Sequence, residues 1–242
     1  MLRPFLFLGL LLFGTVAAAD ERPVTRDELD GLIHAYLITH PEMIAEMQKI
    51  LIGRKVKDVL RDNKIALYDD PDNFVLGNPQ GDVTLIEFFD NECPFCKLLA
   101  PTLDRLIASD HNVRVILKEF AVLGPGSETA ARFAIAARKQ GRYPAFHAAL
   151  MADRTPEHSL AEPHLIEIAK SVGLDPAQLK QDAAAPEVMA QINRNRALGQ
   201  AIGIVGTPGL VIGDGIQSGA MPYEALAEAV AAARAAKAAS AK

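Results

Sequence analysis

The sequence predicts an α/β fold, and three stretches carry that prediction. Val83 to Phe89 is a continuous apolar, β-branched and aromatic run interrupted only by Thr84 and Glu87, the composition of a buried strand. A helix-patterned stretch follows, with Leu98, Leu99, Leu103, Leu106 and Ile107 on one face, and then a second strand-like run from Val113 to Phe120. Strand–helix–strand connections are right-handed crossovers between parallel strands, so these two runs are expected to lie side by side and parallel. Strand character returns only at Gly209-Leu210-Val211-Ile212, after a long interval with none.

The elements follow in order. Thr25 with Glu28 three residues later is a capping box, and Leu29, Leu32, Ile33, Tyr36 and Leu37 continue at helical spacing. His40-Pro41 ends that helix and opens another, whose face carries Met43, Ile44, Met47, Ile50 and Leu51, then Val56, Val59 and Leu60 beyond Gly53. Two amphipathic helices without a strand bury little alone, so this stripe is either ordinary core or a seam between copies of the chain. The central block begins at Asn73 to Gly77 with a polar turn around Pro79 to Asp82, and a helix starts at the cysteines and runs to about Ala108, with Pro101 predicting a kink. Ser127 is read as the cap of an Ala-rich helix reaching Arg138. Further helices are expected over 143–151, 160–172, 176–184 and 186–202. A Gly-rich turn then leads to Ile216, a last helix starts near Pro222, and the tail 231–242 is expected to fray. The division is a leader (1–19), an N-terminal helical segment (20–66), and a main domain (67–242) with a helical insertion at about 127–203.

Residues 1–19 read as a secretory signal peptide: Arg3, an apolar run from Phe5 to Phe13, and a small-residue cleavage site at Ala17-Ala18-Ala19. Cleavage gives an exported, periplasmic chain starting near Asp20, in a compartment where disulfides form and persist. The 242 residues are 50% hydrophobic and 23% charged with a formal net charge of −5, which excludes disorder and argues against a nucleic-acid partner held by charge.

The chain has two cysteines, both in Cys93-Pro94-Phe95-Cys96. Haem attachment needs a following histidine and Lys97 stands there; a zinc site needs two more ligands, and no histidine is spaced to supply them. As an inert disulfide the pair would close too short a loop to stabilise much. Their place after a buried strand, with Pro94 at the first helical position, points instead to redox chemistry. Free backbone N–H groups and the helix dipole there favour a thiolate on Cys93, the attacking species in exchange. Cys96, one turn further in, is placed to resolve the mixed disulfide. Gly206-Thr207-Pro208 precedes the strand at 209, and the sequence leaves the Thr207-Pro208 bond open between trans and cis.

Ile86-Glu87-Phe88-Phe89, then Cys93-Pro94-Phe95-Cys96-Lys97, then Gly206-Thr207-Pro208 resembles the DsbA family of thioredoxin-fold thiol–disulfide oxidoreductases, over roughly residues 72–235. The N-terminal helices and the F-F-D-x-x-C-P-x-C-K pattern are most similar to the ScsC-like branch. The resemblance implies a thioredoxin fold with an all-helical insertion and a cis Thr207-Pro208 bond facing the cysteines. It implies that the Thr207 backbone pairs with substrate peptide, and that Glu87 is a buried acid taking the proton of Cys96. Lys118 is the expected neighbouring charge, with Glu119 competing for the inward direction because adjacent strand residues point oppositely. No cofactor or metal is implied for the exchange reaction. The implied partners are exported clients with thiols or disulfides, a membrane redox partner that recycles the cysteines, and further copies of the chain, up to a trimer. Strongly oxidising members carry Pro-His between the cysteines; Phe95 cannot stabilise a thiolate as an imidazole does, so a less extreme thiol pKa and a less oxidising pair are expected. Oxidase and isomerase directions both stay open, as does the copper-tolerance association of the ScsC-like branch, with the two thiolates holding Cu(I).

Overall fold

A computed structural model describes residues 23–154, 156 and 160–240, so the expected signal peptide lies outside the described residues. The chain divides after Lys49 into two compact units. In the first, α1 (Arg26–Thr39) opens on the expected capping box, with the Glu28 N–H donating to Thr25 Oγ1 and the Thr25 N–H to Glu28 Oε2. It ends at His40, whose ring stacks on Tyr36 with centroids 4.1 Å apart. The next helix, α2 (Glu42–Asp62), starts here and continues into the larger unit.

The stripe on these helices is not ordinary core in the chain. Leu29, Leu32, Ile33 and Tyr36 of α1 are exposed, and along α2 Ile44 is 41% and Met47 46% accessible, with Ile50 and Leu51 exposed too. Burial in α2 begins only at Leu60. Helical spacing correctly places these residues on one face, but spacing alone does not say what that face meets.

The larger unit, from Ile50, is built on a five-stranded sheet: β1 (Phe74–Gly77), β2 (Val83–Phe89), β3 (Val113–Glu119), β4 (Gly209–Ile212) and β5 (Gly215–Ser218), in the order β1-β3-β2-β4-β5. The strands β2 and β3 are parallel as expected, with Glu87 opposite Leu117 and Phe89 opposite Glu119, and α4 (Pro94–Ser109) is their crossover. The other pairings are antiparallel. Gly77 has φ +71 and a Cβ there would meet the Val113 carbonyl at 2.6 Å, so glycine is required where β1 leaves the sheet.

Period-2 alternation gives the sheet two buried faces. Leu85, Phe89, Val115, Leu117, Leu210 and Ile212 pack beneath α4, α5 (Pro125–Ala137), α6 (Tyr143–Ala152) and α10 (Tyr223–Ser240). On the other face Ile86, Phe88, Ile116, Phe120 and Val211 pack against Leu60 of α2, Leu67 of the short α3 (Lys64–Tyr68), and Leu198 and Ile202 of α9 (Pro186–Ala201). Residues 50–66, assigned from sequence to the N-terminal segment, thus include part of the larger unit's core. Gly199 lets α9 close on β3, because a Cβ there would meet the Phe120 ring at 2.5 Å. The insertion is completed by α7 (Glu162–Ser171) and α8 (Pro176–Ala183), the latter capped by Asp175.

Two expectations need correction. Ser127 does not cap the Ala-rich helix, which starts at Pro125 behind Gly124; its hydroxyl is buried and donates to Asp90 and Glu92. The tail does not fray at 231: α10 runs to Ser240, anchored by buried Leu226 and Val230, by Arg234 bonded to Asp82 and Asp110, and by Lys237 on the Asp82 carbonyl. The Ala-rich composition gives no hint of those anchors.

Leu67 is fully buried on a helix of only five residues, so that helix rests on its packing. Leu67→Ala is expected to lower unfolding stability by about 3 kcal/mol in urea titration. A loss below about 1 kcal/mol would show that the segment is dispensable to the core.

Candidate active site

At the end of β2 the chain passes from a buried strand into α4 through Asp90-Asn91-Glu92, all buried. The Asp90 carboxylate accepts four hydrogen bonds: from the Glu92 N–H (2.8 Å), the Val122 and Leu123 N–H groups (2.8 and 3.1 Å) and the Ser127 hydroxyl (2.7 Å). Glu92 accepts from the Leu160 N–H at 2.8 Å and from Ser127 at 3.2 Å. The Cys93 N–H donates to the Asp90 carbonyl, which puts Cys93 at the helix N-cap with Pro94 in the first turn, as the sequence suggests.

The Cys93 Sγ donates to the Thr207 carbonyl at 3.3 Å, and the Thr207-Pro208 peptide is cis, as the resemblance implied. Both cysteines are free thiols, buried within a single turn of α4. The Cys93 pKa is pushed down to about 6. The first cause is a hydrogen bond from the Cys96 thiol, followed by the Thr207 side chain and the backbone of Cys96 and Phe95, all working against burial. Cys96 is driven the opposite way, by burial first, then by its bond to Cys93 and by the Glu87 and Cys93 charges. Neighbouring thiols thus hold very different proton affinities.

Glu87 is buried on the sheet face beneath the cysteines, and its pKa is pushed up to about 8, by burial first and then by the Cys93 charge. It lies on the wall of a pocket of about 270 Å³ shared with Lys97, Pro101, Leu117, His147 and Met151. The His147 ring is buried with Nδ1 unpartnered, and burial lowers its pKa to about 4.

The expectation that Lys118 neighbours Glu87 is overturned. Lys118 is paired with Phe88 in the ladder and points to the other face, where its ammonium donates to the Ala66 carbonyl at 2.8 Å and lies 3.6 Å from Asp70. Glu119 has the inward direction. It is buried, accepts from Asn91 Nδ2 at 2.7 Å and meets the Tyr143 hydroxyl at 3.1 Å. Burial first, and then the Asp90 and Glu87 charges, push its carboxyl well above the usual range, against the two hydrogen bonds.

The five residues singled out from sequence, Cys93, Cys96, Glu87, Thr207 and Pro208, converge at the carboxyl end of β2, although 114 positions separate Cys93 from Thr207. Sequence reasoning missed Asp90, Asn91, Glu92 and Ser127, whose signal was three polar residues wedged between a buried strand and a helix start. It also missed Lys97, which is buried and 3.7 Å from Asp153.

The family of DSBA-like thioredoxin domains matches residues 84–231 of the chain. A thioredoxin-like oxidoreductase from Silicibacter pomeroyi is 45% identical and superposes with a TM-score of 0.68, covering 71% of this chain and 98% of that one. A periplasmic thioredoxin-like protein from Salmonella enterica serovar Typhimurium is 30% identical, with a TM-score of 0.65 over 71% of this chain and 95% of that one. ScsC from Proteus mirabilis, in a transitional conformation, is 26% identical, with a TM-score of 0.67 over 86% and 96% of the two chains. Residues of this chain also align at 27% identity with a Na(+)/H(+) antiporter NhaA from Salinispora tropica, covering 66% of this chain but only a quarter (25%) of the antiporter's length. No described helix is long and apolar enough to cross a membrane. With a family match over more than half its length and the cysteine pair, the cis-proline and the buried glutamate assembled at one end of the sheet, the chain belongs to the DSBA-like thioredoxin domain family.

Proposed function

We propose that this protein is a periplasmic thiol–disulfide oxidoreductase that exchanges disulfides with other exported proteins, Cys93 being the nucleophile and Cys96 the resolving cysteine. The observation that carries this reading is two free thiols at one helix start, the first bonded to the Thr207 carbonyl beside the cis Thr207-Pro208 peptide, with their proton affinities shifted in opposite directions. The Cys93 thiolate attacks a client disulfide; the client S–S bond breaks, one client sulfur leaves as thiolate, and the other is joined to Cys93. Cys96 then loses its proton to Glu87 and attacks Cys93 Sγ, which forms the Cys93–Cys96 disulfide and releases the second client thiolate. The client gains the two electrons the pair loses, and the reverse sequence oxidises a client dithiol. Glu87 suits the role because the Cys93 charge that helps hold its proton disappears in the mixed disulfide, so its own proton passes to the departing client thiolate and the ionised carboxylate then accepts the Cys96 proton. A membrane redox partner resets the pair.

The surface around the pair supports a polypeptide client. Among described residues after Ile65, the exposed large apolar side chains are Phe95, Leu98, Val122 and Val205. Two belong to the first turns of α4, Val122 donates its N–H to Asp90, and Val205, 94% accessible, lies two residues before Thr207. Export is supported by the leader reading of residues 1–19 and by the periplasmic relative. The exposed stripe on α1 and α2 supports self-association, up to a trimer, and with it an isomerase role in which several cysteine pairs address one misfolded client.

Site variants, thiol titration and light scattering test this reading. Cys93→Ser is expected to abolish insulin reduction, and Cys96→Ser to accumulate mixed disulfides; full activity in Cys93→Ser, or tight Cu(I) binding without exchange, defeats the proposal. Alkylation of the reduced protein is expected to titrate with a midpoint near pH 6. Glu87→Gln is expected to slow exchange at least about tenfold. The folded chain holds the Glu87 proton between pH 4.5 and about 8, where the unfolded chain has released it, so this group costs stability as pH rises through that window. The variant is therefore expected to gain on the order of 5 kcal/mol at the upper end of the window and nothing below it; an unchanged pH–stability profile would place the carboxyl in water. Light scattering of the chain from Asp20, with and without residues 20–66, is expected to give an oligomer and a monomer, and a monomer in both removes the support for the isomerase role.

A further inference from the structure

The exchange chemistry gives no role to Glu119, a buried ionisable group on the active face. Glu119 ends β3, and its carboxyl accepts from Asn91 Nδ2 at 2.7 Å and meets the Tyr143 hydroxyl at 3.1 Å. Asn91 lies in the turn that presents Cys93, with its Oδ1 buried and unpartnered. Asp90 and Glu92 tie that turn to Val122, Leu123, Ser127 and Leu160 on one side. For the side chains of the turn, the Asn91–Glu119 bond is the tie on the other side, to the sheet.

Resting on the oxidoreductase reading, we propose that Glu119 is a positioning residue for disulfide exchange: through Asn91 it holds the Asp90–Glu92 turn in the register that sets Cys93 at the N-cap of α4 and against the Thr207 carbonyl. The tie does not need a charge. An ionised Glu119 accepts from the Asn91 amide as drawn. A neutral one still accepts from the Asn91 amide through its carbonyl oxygen, with its O–H on the other oxygen. Either way one bond joins β3 to the turn. Its loss frees Asn91, lets Cys93 drift from the N-cap donors that favour its thiolate, and misaligns it with an incoming disulfide, where small displacements are costly in rate.

The test is a double-mutant cycle on the full mature chain, read by insulin reduction and by the pH profile of Cys93 alkylation. Glu119→Leu and Asn91→Ala are each expected to slow exchange by about tenfold and to raise the alkylation midpoint by about one pH unit, with the double variant no slower than either single one. Glu119→Gln keeps a donor, an acceptor and the packing, so it is expected to stay within about threefold of the parent with the midpoint unmoved. Glu119→Leu exchanging at the parent rate, Glu119→Gln as slow as Glu119→Leu, or effects multiplying to about a hundredfold in the double variant would each overturn the proposal. If Glu119→Leu does not fold, Asn91→Ala and Glu119→Gln decide it: a parent-like rate and midpoint in Asn91→Ala, or a slow Glu119→Gln, overturns it. A parent protein without exchange activity is a separate result that removes the oxidoreductase reading itself.

Discussion

Where β2 becomes α4 the chain must leave a dry sheet and start a helix within four residues, and every backbone group freed by that turn needs a partner in the interior. The Asp90 carboxylate is the interaction that makes this possible. Its four donors come from its own turn and from the segment after β3, so a single buried anion locks two loops from adjacent parallel strands together. An unpaired buried carboxylate would cost several kcal/mol; one with four donors is instead a fixed point. Exposed Val122 bonds this carboxylate directly, and the backbone carbonyl of the same residue, Asp90, holds the Cys93 N–H.

On that fixed frame the chemistry is a matter of distributing few charges in a low dielectric. The favourable place for negative charge is the Cys93 sulfur, where Cys96, Thr207 and the start of α4 supply hydrogen bonds. Burial makes Glu87, Glu119 and the Cys96 thiol hold their protons more tightly, and for Glu87 and Cys96 the Cys93 charge adds to it. In the proposed exchange Cys93 loses its charge on entering a mixed disulfide, and Glu87 and Cys96 are the groups whose affinities that loss relaxes. The hydrogen bonds that push the Cys93 pKa down to about 6 come from Cys96, Thr207 and the backbone of the first turn, with no imidazole in the dipeptide.

Much of this was legible before any coordinates. The strand at 83–89, its parallel partner and the N-cap position of Cys93 follow from local patterns, because strand burial, Pro94 and thiol placement are encoded within a few residues of one another. The cis state of Thr207-Pro208 was not encoded locally and came only through resemblance. Lys118 against Glu119 was undecidable for a simpler reason: period 2 says they face opposite ways, and both faces of this sheet are buried, so apolar neighbours did not mark which face carries the cysteines. Ser127 looked like a cap because caps are polar residues before a helix. The partners that draw it inside, Asp90 and Glu92, are 37 and 35 positions away.

The distribution of exposed apolar surface is the last constraint. In the larger unit, after Ile65, four such side chains remain among the described residues, and all belong to the segments that frame Cys93. On α1 and along α2 they recur at nearly every turn. A scattered few beside a reactive sulfur suit an encounter that must end, since a client held by a large apolar surface would not leave after exchange. A continuous stripe along two helices is a different quantity, because helices with that much uncovered face are poorly stable alone and gain most from a lasting partner. The same sequence therefore carries two grades of apolar exposure, one matched to turnover and one to assembly.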